Sequence, residues 1–267
     1  MSDSGMQAQI EAARAYEEFF VPALFGEWAT RVAAAARVRA GDHVLDVACG
    51  TGVLARQAAA RVGPSGFVAG VDLSPGMLTV AAERAPGIEW RQGTAEDLPY
   101  ADQRFDAVVS QFGLMFFADR RRALNEMHRV LKKGGRLAVA VWAALERAPA
   151  YAAEVLLVER LAGKRAADAL RAPFVLGDPN ELSQLVAGAS LVGASVTTLP
   201  GMARFPSIRF MVEADLRGWL PLMGVVLSED QIQRLLEEAE HALGAYVTSA
   251  GDVAFELAAH LAIGTKS

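Results

Sequence analysis

The chain has 267 residues, a formal net charge of −5 and a hydrophobic fraction of 52%. This suits one domain of ordinary core size with additions, or at most two small domains, and the acidic balance leaves no footprint for nucleic acid. A single cysteine excludes an intrachain disulfide framework and fits a reducing compartment.

Residues 1–9 are polar and lack the basic-then-apolar pattern of a signal peptide. No apolar run reaches membrane-spanning length, so a soluble, cytoplasmic chain without a membrane span is expected. Residues 7–40 read as helices broken by Pro22. Strands follow near 43–48, 67–72, 88–92, 105–110 and 135–142, with helices at 53–61, 75–85 and 119–131. Such alternation builds a parallel sheet with helices on both faces. The run Arg120-Arg121-Arg122 after Asp119 reads as a solvated helix start rather than a binding patch. A helical stretch near 148–170 comes next. Asp178 caps a further helix with Pro179 in its first turn. Residues 195–205 read as a sixth strand, 207–247 as helix, and 252–263 as a final strand.

The stretch Val44-Leu45-Asp46-Val47-Ala48-Cys49-Gly50-Thr51-Gly52 carries the most information. It is an apolar strand that breaks into a glycine turn and then a helix. Gly50 and Gly52 remove side chains where backbone must approach a ligand closely. The helix beyond points free N–H groups at the same place. Twenty residues after Gly52 comes Asp72, at the end of a second apolar run. An acid there is placed to hold a ribose through its hydroxyls. An adenosine-containing cofactor across the carboxyl edge of the sheet is therefore expected. Gly50-Thr51-Gly52-Val53-Leu54-Ala55 also fits the dinucleotide pattern, which would make the chain a nicotinamide oxidoreductase. Asp46 argues against that: an acid beneath the cofactor repels a pyrophosphate and welcomes an amino group. No Tyr-x-x-x-Lys pair follows either.

Five motifs in order over residues 41–142 resemble the class I S-adenosylmethionine-dependent methyltransferases. The resemblance is to the type 11 group, which includes the ubiquinone/menaquinone C-methyltransferases. Its carriers are Asp46-Val47-Ala48-Cys49-Gly50-Thr51-Gly52, Val71-Asp72-Leu73-Ser74-Pro75-Gly76-Met77, and Gln92-Gly93-Thr94-Ala95-Glu96-Asp97-Leu98-Pro99-Tyr100. Phe105-Asp106-Ala107-Val108-Val109-Ser110-Gln111-Phe112-Gly113 and Leu131-Lys132-Lys133-Gly134-Gly135-Arg136-Leu137 complete it. The resemblance implies an α/β fold: a Rossmann-like, seven-stranded, mostly parallel sheet whose last strand runs antiparallel beside the fifth. It implies S-adenosyl-L-methionine as cofactor and S-adenosyl-L-homocysteine as product. It implies Gly50, Thr51 and Gly52 around the methionine part, with Asp46 near its amino group. Asp72 would take the ribose, Leu73 and Met77 would flank the adenine, and Thr94 and Ala95 would meet its edge. Many relatives carry Asp or Asn where this chain has Thr94, which leaves backbone at Ala95, or Glu96, to meet the adenine amine. Gln111 would lie near the methionine end and the methyl group.

Three segments are expected: an N-terminal helical cap over 1–40, a cofactor-binding core over 41–142, and a remainder over 143–267. The remainder carries helical insertions near 143–176 and 206–246. Both insertions leave strands at the cofactor edge, so with Tyr16 and Phe20 they are expected to form a substrate lid. The alternative for both is plain packing or a homodimer interface.

Methyl transfer needs alignment and desolvation, and a base only where the acceptor loses a proton. Asp215 shares a helical face with Ile208, Met211, Val212 and Trp219, where a carboxylate is out of place unless it is a base or an anchor. A salt bridge to Arg209 or Arg217, or a helix that ends early at Gly218, is its structural alternative. Gln111 and His241 are the further catalytic candidates, although His241 lies opposite its helix's apolar stripe and should face water. His43 and His260 are expected at the far edge of the sheet, and His128 on a helix running back from the cofactor. Phe20, Phe112, Met115, Phe116, Trp142 and Tyr246 are the candidate pocket residues, with Phe117 beside them; core packing under the lid is the alternative for any one of Phe112, Met115, Phe116 and Phe117, and Tyr16 either donates to the cofactor carboxylate or packs half-buried. Cys49 reads as a small filler beneath the cofactor. No metal is expected. The function so read is methylation of a small, partly apolar molecule at oxygen or carbon. A non-methylating S-adenosylmethionine-binding cyclase or isomerase is the alternative.

Overall fold

A computed structural model describes residues 3–267; the first two residues of the polar N-terminus lie outside it. Its strands are β1 (His43–Val47), β2 (Phe67–Asp72), β3 (Glu89–Gln92), β4 (Phe105–Gln111), β5 (Leu131–Trp142), β6 (Leu191–Leu199), β7 (Met202–Phe205), β8 (Val253–Glu256) and β9 (Ala259–Lys266). Seven form one sheet in the order β3-β2-β1-β4-β5-β9-β6. The first five strands run parallel, and β9 is antiparallel to both β5 and β6. The expected seven-stranded, mostly parallel fold is borne out, with the last strand beside the fifth. β1 sits mid-sheet, which is why its side chains after His43 are all buried and its sequence is nearly unbroken apolar. The strand order reverses between β1 and β4, and their carboxyl ends open the crevice where such folds bind ligands.

Two expected long strands are each divided. The chain over 195–205 breaks at Pro200 and Gly201, and the chain over 252–263 breaks at Leu257 and Ala258. The breaks lie together: the Leu257 N–H donates to the Gly201 carbonyl at 2.9 Å. A Cβ on Gly201 would stand 2.6 Å from Trp28 Cζ2, so only glycine lets the ribbon bend this close to the indole. Beyond the bend, β7 and β8 pair as a separate two-stranded ribbon. The division corrects the placement of His260. It falls in the first turn of pairing of β9, opposite Val141 near the end of β5, and so at the carboxyl edge rather than the far edge. There it is buried, with Nδ1 2.8 Å from Thr198 Oγ1 and Nε2 2.8 Å from the Gly177 carbonyl.

Pro22 does not break the N-terminal helix. The helix Asp3–Ala15 runs into a π-helical stretch, Tyr16–Phe25, and then into the helix Gly26–Ala35. The wider turn accommodates a residue that has no N–H and whose ring crowds the preceding turn. A second π-helical turn, Asp215–Trp219, lies within the 207–247 region. That region is also interrupted after Met223 and restarts at the helix Glu229–Ala242, capped reciprocally by Ser228 and Gln231. Among the described residues no helix is long and apolar enough to cross a membrane.

Candidate active site

The glycine turn is built by the strand ends around it. Ala48, Gly50 and Gly52 have φ of +57°, +53° and +84°. Ala48 pays for the left-handed conformation, and the neighbouring Cys49 N–H is tied to the Val71 carbonyl at 3.0 Å. Asp72, at the end of β2, accepts from Gly50 N–H at 2.8 Å and from Ser74 N–H at 2.9 Å. Burial pushes its carboxyl up, and these backbone donors pull it back.

A cavity of about 520 Å³ opens over this turn, a size that suits small-molecule ligands. Of the expected cofactor residues, Gly50, Asp72, Leu73, Met77, Thr94, Ala95, Glu96, Gln111 and Tyr16 line it. Asp46, Thr51 and Gly52 lie outside this lining. A Cβ on Gly52 would stand 2.4 Å from Trp90 Cη2, and one on Gly70 would stand 2.4 Å from Cζ3 of the same ring. Gly52 therefore makes room for an indole from β3. Thr51 is buried and donates its hydroxyl to Glu17. Asp46 is buried beneath the turn, and burial pushes its carboxyl well up. Glu96 is occupied too, accepting from the Ala118 and Asp119 N–H groups at 3.0 and 3.3 Å.

The cavity's far end is aromatic. Phe112 stacks on Trp142 at 3.6 Å between centroids, and Trp28 meets both rings edge-on. Phe112 has φ +56°, a conformation a bulky side chain adopts only when its surroundings hold it there. Phe20, Phe112, Phe116, Phe117 and Trp142 line the cavity as expected by position. Met115 is buried away from it, and Tyr246 packs on Phe255 at 6.1 Å outside it. The 3₁₀ turn Leu114–Phe116 points Met115 inward while Phe116 stays at the mouth. His241 is exposed on the outer face of its helix, as the apolar stripe required, and does not reach the cavity.

Both inserted regions close over the aromatic end. Tyr151, Leu170, Pro173 and Phe174 come from the first, and Asp215, Trp219 and Leu222 from the second. Trp219 Nε1 donates to the Ala169 carbonyl at 2.9 Å and joins the two. The N-terminal segment covers the other side. Tyr16 stacks on Phe25 at 5.3 Å, and Gln111 Nε2 donates to the Phe25 carbonyl at 3.1 Å. Arg56 bridges Glu17 Oε1 at 2.7 Å and the Thr51 carbonyl at 2.6 Å.

Asp215 is buried and does not meet Arg209 or Arg217; Arg217 turns outward to Glu213 and Glu229. Its neighbour is Glu154, wholly buried on the helix Pro149–Ala162. Sequence reasoning missed Glu154 and Tyr151. The signal was present: Tyr151, Glu154, Val155 and Val158 recur at helical spacing on a buried stripe, the same pattern that marked Asp215. Desolvation pushes the Asp215 carboxyl to about 8 and that of Glu154 well up, as two facing acids in an apolar site require.

Residues 45–139 match the family described as methyltransferase domain. The motif-based resemblance is thereby borne out. Parts of the chain are 43% identical over 116 residues to a demethylmenaquinone methyltransferase of Symbiobacterium thermophilum, covering 41% of this chain and 46% of that one. They are 42% identical over 120 residues to the chloroplastic 2-phytyl-1,4-beta-naphthoquinone methyltransferase of Arabidopsis thaliana, covering 42% and 46%. The match thus spans about half the length of these curated relatives. In fold, the chain is similar to the YcgJ protein from Bacillus subtilis, with a TM-score of 0.58 and 22% identity over 90% of this chain and 98% of that one.

The residues around the glycine turn fit S-adenosylmethionine chemically. Asp46 Oδ2 and Gln111 Oε1 are buried with no hydrogen-bond partner among the described residues. Both flank the glycine turn, where an amino group and a sulfonium would need acceptors. Asp72 stands at the β2 end with acceptor capacity left, since a carboxylate takes about four hydrogen bonds. Leu73 and Met77 offer apolar surface for a purine beside it.

Proposed function

We propose that this chain transfers a methyl group from S-adenosylmethionine to a small, partly apolar molecule, at oxygen or carbon. The observation that carries the reading is the single cavity that runs from Asp72 and the glycine turn to an aromatic end closed by both inserted segments. When bound, S-adenosylmethionine supplies an electrophilic methyl group on a good leaving group. The protein's share is then alignment and exclusion of water. Asp72 holds the ribose, Leu73 and Met77 flank the adenine, and Thr94 and Ala95 meet its edge. Gly50 and Gln111 border the methionine end, above Asp46, and Tyr16 covers it. Phe20, Phe112, Phe116 and Trp142 form the acceptor wall, and Asp215 is the group placed to take a proton. The regions 143–176 and 206–246 act as the lid, with the 1–40 segment as a second cover. The relatives' names concern naphthoquinone-type acceptors; a flat apolar ring also suits the Phe112–Trp142 stack.

The test is incubation with methyl-deuterated S-adenosylmethionine and extracted host metabolites, followed by mass spectrometry against a no-enzyme control. A deuterated-methyl product identifies the acceptor. Product formed without consumption of the methyl donor would replace transfer by a non-methylating role.

A further inference from the structure

Asp215 and Glu154 stand at the aromatic end of the cavity as a pair of carboxyls with no cation to balance them among the described residues. Asp215 lines the cavity and Glu154 lies behind it, and they come within hydrogen-bonding reach of each other. Glu154 Oε1, Glu154 Oε2 and Asp215 Oδ2 have no donor among the described residues. Ionised carboxylates only accept hydrogen bonds, so the contact is favourable only when a proton lies between them.

The surroundings reinforce this. Among the described residues, the titratable group that both acids act on is Tyr151, on the same helix as Glu154: burial pushes its hydroxyl well up, and the two acids add to this. The charged side chains of the packed elements pair with one another elsewhere: Arg217 with Glu213 and Glu229, Arg171 with Glu159 and Asp168, and Arg160 with Glu238. Asp215 also opens a π-helical turn, a local irregularity common at functional sites.

We propose that Glu154 and Asp215 form a proton-sharing carboxyl dyad, in which Asp215 accepts the hydroxyl proton of the methyl acceptor and Glu154 positions it. The proposal rests on the methyl-transfer reading and narrows its acceptor to a hydroxyl-bearing, otherwise apolar molecule. In the step, the acceptor O–H bond breaks and its proton passes to Asp215 Oδ2. The oxygen forms its bond to the methyl carbon, and the carbon–sulfur bond breaks with its electron pair going to sulfur. Glu154 touches no substrate; it orients Asp215, and its hydrogen bond favours the ionised Asp215 against the burial that disfavours it. Desolvation holds Asp215 to about 8, so the base form grows as pH rises through that value.

The test uses the full chain with S-adenosylhomocysteine and 2-naphthol as a probe. Difference infrared spectroscopy of wild-type protein should show a protonated-carboxyl C=O band at neutral pH that declines near pH 8 and shifts when 2-naphthol is added. In Glu154→Leu the donor that favours ionised Asp215 is lost, and the decline should move to higher pH. A purely structural Glu154 would leave the titration in place. Binding should favour 2-naphthol over naphthalene by about tenfold in the wild type and show no preference in Asp215→Ala. Absence of the band in the wild type, no response to 2-naphthol, or an unmoved titration in Glu154→Leu overturns the dyad. These readings need no turnover and the wild-type ones need no variant to fold. Failure of S-adenosylhomocysteine to bind, measured separately by calorimetry, would instead sink the methyl-transfer reading and leave the infrared result standing.

Discussion

Asp72 has both oxygens engaged by backbone before any ligand arrives. That fixes its carboxylate for the ribose proposed to bind there, and removing it also frees the Gly50 and Ser74 N–H groups. Hydrogen bonds to charged groups contribute about 1.5–3 kcal/mol each. Asp72→Ala should therefore weaken S-adenosylhomocysteine binding at least about tenfold by calorimetry, and an unchanged affinity would remove the ribose assignment. Asp215 carries a different prediction. Its folded carboxyl sits at about 8 against an ordinary 3.8, so across that window the folded state holds a proton the unfolded state has lost. The sign is then negative: stability falls as pH rises between the two values. Asp215→Asn removes this slope, so its melting temperature relative to wild type should climb from acidic to mildly alkaline pH. A difference independent of pH would place Asp215 in ordinary solvated surroundings. Both acids were marked by the same rule, a carboxylate on an apolar helical stripe. Asp215 was read from it and Glu154 was not, because its helix was taken only as a lid element. Gly52 shows the opposite limit: its pattern announced a ligand, yet the group it admits is Trp90, thirty-eight residues on, which no local pattern reveals.

At the level of elements, strands and helices up to residue 130 were legible because each apolar run ends in a strong punctuation such as Gly50, Ser74-Pro75 or Asp119. The final third was less so. Its strands continue in apolar alternation through the bend at Gly201 and Leu257, and what breaks them is a tertiary contact with Trp28. That misreading carried His260 to the wrong edge. The π-helical stretches were invisible for a related reason: a widened turn keeps helical composition. Gly201→Ala tests the bend. Its methyl would meet Trp28 Cζ2 at 2.6 Å and the Leu257 carbonyl at 2.8 Å. Overpacking of this kind costs about 1–3 kcal/mol, so the urea midpoint should drop accordingly. A midpoint equal to wild type would mean the indole moves aside freely.

Across the whole molecule, one hydrophobic core reaches from Phe20 to Ala262 and joins the N-terminal segment, the sheet and both inserted regions. The proposed cofactor end is covered from the amino terminus and the proposed acceptor end from the carboxyl half, so the cavity is assembled from sequence-distant parts. Glu17 fastens the amino-terminal cover to the glycine turn through Thr51 and Arg56, with little of its side chain exposed. In the proposed reading the 1–40 cover lifts each time S-adenosylhomocysteine leaves, and the expected outcome is that departure, rather than bond-making, is the slow event. The first turnover then outpaces those that follow, and rapid quenching should catch a burst of methylated product about equal to the enzyme present. In Glu17→Ala the steady rate should rise and the burst should shrink toward it; a linear time course in the wild type would show that the cover never holds the spent cofactor back.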